Sequence, residues 1–322
     1  MRFKFIYLGS ALALLSTGCQ KQCCESDCYV DQQYYHKYGA PLQPDDWCQR
    51  GSNGQVITTL RDGVVCKQTY ANGELHGEST YTYPNSQQVQ RVEVHSNDQL
   101  VKQNSFHVSG IPEKSVEYST PDIRTETTWY ESGHPRSIEK YKNGFLISGE
   151  YFNTQNLRDS WVNEGNGERL TRDPYGTFLS LDTFRGGQLV SQTLYYPNKT
   201  PKEIIPFQNG QVHGERKTYY PGGDPMTIEG WANGLQNGTT IIFQNGEKYA
   251  EVPYVAGKKN GVERRFRDGS VVTQEITWVN DKMHGPMYTY VGESTQTDWY
   301  YNGRLTTRSN FESFGLPKKQ GI

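Results

Sequence analysis

The feature that most constrains this chain is a repeat: an aromatic residue, one residue, Asn-Gly, two or three residues, and a closing Gly. Clear copies carry Tyr70, Asn72, Gly73 and Gly77, then Phe207, Asn209, Gly210 and Gly214, then Trp231, Asn233, Gly234 and Gly238. Two more replace the Asn or Gly: Tyr254, Ala256, Gly257 and Gly261, and Trp278, Asn280, Asp281 and Gly285. Looser copies centre on Asp98, Asp122, Gly144, Glu164, Gly187 and Gly303, so successive turns lie 20 to 25 residues apart, clustering at 23. A fixed period of this size marks a repeat architecture. Asn-Gly reaches positive φ at low cost, which two-residue hairpin turns require. A second turn falls between each pair, as at Pro221-Gly222-Gly223 or Asp268-Gly269. The runs between turns, such as Thr239 to Phe243, are β-branched and aromatic, and Ile276 and Trp278 share one strand face. The unit is therefore strand, turn, strand, turn. The expected fold is all-β, an elongated meandering antiparallel sheet of β-hairpin repeats over residues 51–308. No segment of that array has a helical period.

Composition agrees with a thin sheet. Hydrophobic residues make up 34%, too few for two filled globular cores in 322 residues, yet 23 Tyr, 12 Phe and 6 Trp exclude a disordered chain. A net charge of −2 gives no electrostatic reason to expect nucleic acid as a partner.

The repeats resemble the bacterial MORN-repeat variants found in YwqK-type, antitoxin-like repeat proteins, over roughly residues 60 to 305. That resemblance implies a meandering antiparallel sheet without catalytic function that binds protein or lipid.

The N-terminus reads as an export signal. Arg2 and Lys4 precede an apolar stretch from Phe5 to Leu15, too short to span a bilayer as a mature helix. Small residues then lead to Cys19, a sequence that resembles the lipobox of bacterial lipoproteins. The resemblance implies cleavage after residue 18, acylation of Cys19 and a lipid anchor; Gln20 in the sorting position implies the outer membrane. Residues 19–50 are expected to form a Cys-containing linker and residues 309–322 a C-terminal tail. Five further cysteines lie at or before position 66. In an oxidising compartment Cys48 and Cys66 form a plausible bridge, and Cys23, Cys24 and Cys28 hold one more plus a spare thiol.

Three candidate chemistries remain. His76, His213 and His284 each precede a closing Gly, a slot that Asn237 and Asn260 fill in other copies. Asn and His share a tolerance for turn conformations, so a structural role is favoured over a metal ladder, and neither metal nor cofactor is expected. The recurring acids Glu139, Glu203, Glu229, Glu251 and Glu275 read as a stripe that pairs with Lys or Arg across strands. Tyr81, Tyr83, Tyr219, Tyr220, Tyr288 and Tyr290 form the sheet's packing ladder or, where uncovered, a strip for binding. The degenerate stretch from residue 90 to 200 is where a specific site would hide. The expected function is a non-enzymatic, lipid-anchored binding or spacing scaffold for a protein or envelope component. The alternatives are an antitoxin or immunity protein that blocks one exported effector and, less favoured, a glycan-acting envelope enzyme.

Overall fold

The computed structural model describes residues 29–314. The export signal, Cys19, Cys23, Cys24 and Cys28 lie outside the described residues. Within them are 29 strands and two short helices, the strands pairing antiparallel with near neighbours in sequence. The chain divides into two compact units between Ile111 and Pro112.

The turns fall where the sequence places them. Of the eleven turn positions, ten carry a residue at positive φ, from Gly73 at 86° to Gly303 at 83°. In most of these both central residues do so, as at Asn233 and Gly234 (50° and 75°) or Ala256 and Gly257 (49° and 79°), the mirror-image turn whose twist matches that of paired strands. Asp122 is the exception: it follows Pro121, whose ring holds φ negative.

Neighbouring turns are stitched together on this edge. The turn N–H of Gly73 donates to Ser52 O, Asp98 to Leu75 O, Gly234 to Val212 O, Gly257 to Gln236 O and Asp281 to Lys259 O, at 2.8 to 3.1 Å. On the other edge, tyrosine hydroxyls bridge one repeat. Tyr83, Tyr130 and Tyr196 donate to the carbonyls of Phe106, Phe152 and Tyr219, at 2.7, 2.6 and 2.9 Å. Each hairpin thus satisfies polar groups of the next, which stabilises units that are marginal alone.

A device invisible in the sequence pattern also repeats. One extra residue interrupts the register at Arg136, Asp159, Leu179, Lys202, Met226, Tyr249 and Thr273. These bulges lie 20 to 24 residues apart, and bulges increase local twist and reset which side chains share a face.

In the first unit the sheet begins before residue 51. Strand Tyr29–His36 pairs with Gly54–Leu60, and helix α1 (Pro44–Gln49) lies between them in sequence. Pro44 at the start and Asp45 and Asp46 in the first turn favour the helix there. α1 buries Trp47 against Tyr34 and Tyr70, with ring centroids 5.5 and 6.0 Å apart. In the second unit, helix α2 (Arg308–Phe314) takes the place of another hairpin after the last Asn-Gly turn. Its Phe311 packs on Trp299 and His284 at 5.1 and 5.2 Å, and Phe314 on Tyr301 at 4.7 Å. Terminal elements that cover exposed repeat ends are expected of stacked arrays.

Candidate binding face

The two faces of the second unit differ, and the repeat aromatic explains one of them. A basic side chain lies over four of the repeat rings: Arg124 over Tyr141 (4.4 Å), Arg169 over Phe184 (4.9 Å), Arg216 over Trp231 (5.6 Å) and Lys259 over Trp278 (4.6 Å). Every one of these cations also meets an acid: Glu126, Asp182, Glu229 and Glu263 respectively, at 2.6 to 3.3 Å. Aromatic, base and acid form a flat triplet that covers a single sheet without a second apolar layer. Each cation–ring contact contributes roughly 0.5–1 kcal/mol where solvent reaches it.

The triplet tightens into a buried node in the degenerate stretch. Arg169 donates to Asp182 from Nε at 2.9 Å and Nη2 at 2.7 Å, and to Glu139 from Nη1 at 3.5 Å. Tyr141 and Tyr151 donate their hydroxyls to Glu139, both at 2.9 Å, and Gln192 donates to Asp182 at 2.9 Å. Asp182 is 1% exposed, and Leu146, Tyr151, Val162 and Phe184 make the hydrophobic cluster around it. Burial, reinforced by Glu139, pushes both tyrosine hydroxyls well above the ordinary phenol range. Burial works against the Arg169 charge, but Asp182 and Glu139 outweigh it and hold the guanidinium more firmly ionised than usual. All the members are paired with one another. The node is structural glue.

The opposite face carries a different row. Cross-strand partners run Leu170, Leu181, Thr193 and Ile204, then Lys217, Ile228 and Ile241. The same row continues through Glu251, Arg264, Glu275 and Tyr288. Earlier in the unit, Ile138, Glu150 and Trp161 oppose one another on this face, with Trp161 57% exposed. It is an apolar stripe that turns into an alternating charged one.

The candidate acids separate between these faces. Glu139, Glu203 and Glu229 point to the triplet face, whereas Glu251 and Glu275 belong to the open row. The single stripe read from the sequence is thus two, because Glu251 and Glu275 stand two residues past a bulge and the others stand one or three. Each of the five has a basic partner. Glu203 and Glu229 share Arg216, Glu251 meets Lys248 at 2.8 Å and Glu275 meets Arg264 at 2.9 Å. Acids held this way are poor candidates for general acid–base work.

The histidines are turn elements. His76 Nδ1 lies 3.1 Å from Asn97 Oδ1, and His213 and His284 accept from the backbone N–H of Asn233 and Asn302, each at 3.4 Å. Each ring therefore braces the next repeat's turn. No group of metal-ligating side chains occurs among the described residues.

The six tyrosines do not make one strip. Tyr81 lies under Arg91 at 4.1 Å and donates to Glu93, and Tyr83 bridges to Phe106. Tyr219 and Tyr220 are sequence neighbours on a bulged strand end, the latter 39% exposed. Tyr288 sits in the open row opposite Glu275, to which Tyr290 donates at 2.9 Å. Cys48 lies exposed on α1 and Cys66 is buried opposite Thr58 and Tyr81. The triplets escaped sequence reasoning because each cation and its ring are 15 to 19 residues apart. Their one visible signal was the constant aromatic ahead of each turn.

The comparison with known families falls on one of the loose repeats, ending at the turn beside Tyr141. Residues 125–143 match the MORN repeat variant. The matched MORN variant comprises one hairpin, most of strand Ile123–Trp129 with Pro135–Lys142, and includes the Glu126 and Tyr141 of the first triplet. No curated protein matches the chain. Among solved structures, a TcdB2-TccC3 crystal structure is 13% identical, with 84% of this chain and 15% of that chain covered and a TM-score of 0.17. A porin-like protein from Bacteroides uniformis ATCC 8492 is 10% identical, with 76% and 89% covered and a TM-score of 0.17. The chain spans about 15% of the length of the first. Likeness at this level assigns no activity.

Proposed function

We propose that this protein is a non-enzymatic repeat scaffold of the bacterial envelope, lipid-anchored through Cys19, whose open sheet face binds or spaces a protein or envelope component. One observation carries the reading: ion pairs around the repeat aromatics cover one face, while the open face presents Leu170, Leu181, Ile204, Ile228 and Ile241 as a half-buried apolar row interrupted by Thr193 and Lys217, with Trp161 57% exposed at one end. A contiguous apolar row left partly open to solvent marks an interaction surface. The MORN-variant match at residues 125–143 supports a scaffold.

Cross-linking in intact envelopes tests it. The wild-type chain is expected to capture one component reproducibly. Ile204→Lys with Ile228→Lys should lose it, and Tyr290→Phe, which removes only a bond to Glu275, should keep it. Capture unaffected by the double change would remove the open face from the account. Turnover of envelope glycan abolished by one carboxylate substitution would replace the scaffold with an enzyme. The anchor has its own test. Cys19→Ser is expected to leave an unprocessed precursor released from membranes; a processed variant that still fractionates with membranes would refute lipidation.

A further inference from the structure

The repeat places six Asn-Gly pairs in two-residue turns with both residues at positive φ: Asn72, Asn143, Asn209, Asn233, Asn245 and Asn302, each with its glycine. We infer that three of them, Asn143, Asn209 and Asn245, are sites of spontaneous deamidation in the folded protein, and that the repeat's own stitching protects the other three. In this reaction the backbone nitrogen of the glycine loses its proton to solvent base and attacks the Asn Cγ. A C–N bond forms, ammonia leaves, and the resulting five-membered imide adds one water to open as Asp or isoaspartate.

Glycine is favoured after Asn because no Cβ hinders the attack. What separates the six turns is the state of that glycine nitrogen. Gly73 donates to Ser52 O at 3.1 Å, Gly234 to Val212 O at 3.0 Å and Gly303 to Met283 O at 2.8 Å. A nitrogen whose proton is held by a carbonyl must break that bond before it can act as the nucleophile. Among the described residues no backbone carbonyl accepts from Gly144, Gly210 or Gly246 in these turns. At Gly144 the stitching bond comes from the preceding residue, since Asn143 N–H donates to Asp122 O at 2.8 Å. Asn245 lies on the opposite edge, away from the stitched turns.

The amide side chains point the same way. Asn302 Oδ1 lies 3.3 Å from His284 Nδ1, and His213 accepts from the N–H of Asn233, so two of the three protected turns are also braced by a histidine, while the N–H of Asn72 donates to Asn53 Oδ1 at 2.8 Å. All six asparagines are exposed, and Asn143, Asn209 and Asn245 carry no such brace. Each conversion adds one negative charge to a chain of net −2. Isoaspartate also lengthens the backbone by one carbon, which shifts a two-residue loop away from its register. The stitched edge is therefore chemically durable and the unstitched turns age.

The test follows isoaspartate and Asp formation at all six positions by peptide mapping. The folded chain and a urea-unfolded sample are incubated in parallel at mildly alkaline pH. In the unfolded sample the six should convert at similar rates. In the folded sample Asn143, Asn209 and Asn245 are expected to convert about tenfold faster than Asn72, Asn233 and Asn302, the factor that one hydrogen bond of ordinary net strength imposes. Equal rates at the six folded positions, or faster loss at the stitched ones, would overturn the assignment. So would a folded chain inert at all six while the unfolded one converts, because turn conformation and not the glycine nitrogen would then decide.

Discussion

Arg169 shows how a polar chain holds itself together at the level of single residues. It covers Phe184, pairs with Asp182 and reaches Glu139, and its side chain is 28% exposed whereas that of Asp182 is 2%. Arg169→Ala leaves a buried carboxylate unpaired and is expected to destabilise the second unit by about 3–5 kcal/mol in urea unfolding. Arg158 makes the instructive contrast. Its 2.6 Å pair with Glu150 is half-exposed on both sides, so Arg158→Ala should cost no more than about 1 kcal/mol. Equal effects would show that the node is no more than a surface pair. The tyrosines of the node predict a pH response. The hydroxyls of Tyr141 and Tyr151 ionise less readily in the folded state than in the unfolded chain. Their contribution is therefore fully present below about pH 10, the ordinary phenol value, and is lost as pH rises beyond it. Urea midpoints should fall above that pH, and Tyr151→Phe should flatten the fall; an unchanged slope would show that Tyr151 is already solvated.

Elements divide into those that local chemistry dictates and those that distance decides. The turns were legible because Asn-Gly, Gly-Gly and Asn-Asp reach positive φ within two residues, and only the Pro121-Asp122 turn departs, for the reason its proline supplies. The closing glycine was legible as a mark but not as a cause. Gly261 holds φ +120°, and a Cβ there would lie 3.0 Å from Pro253 Cγ, so the residue allows close approach to the partner strand. Bulges at Met226, Tyr249 and Thr273 left no signal, since unlike residues occupy them. Nor did the capping roles of Trp47 and Phe311, which depend on rings brought from other strands. The open row is likewise a product of register, which one-residue bulges set and composition does not. Cysteine pairing belongs to this scale too. In an oxidising compartment Cys48 and Cys66 are expected to be joined, a loop constraint of about 3 kcal/mol in the chain-entropy model. Non-reducing mass spectrometry that finds both thiols reduced would refute the bridge.

Over the whole molecule, stability is added repeat by repeat. The second unit holds its hairpins through stitched turns, bridging tyrosines and triplets that each reach about one repeat along the chain. Such a sheet should transmit damage to its neighbours and no further. Gly257 is a suitable point of attack, because it holds φ +79° in its turn and donates to Gln236 O at 2.8 Å. A β-branched side chain at that φ should cost about 1–3 kcal/mol through the backbone alone. Hydrogen exchange on Gly257→Val is therefore the most direct measurement. The expected result is lost protection near residues 234 to 285, with residues 60 to 100 unchanged. Cooperative loss of protection across the whole chain would mean a single globular core and would contradict the repeat architecture.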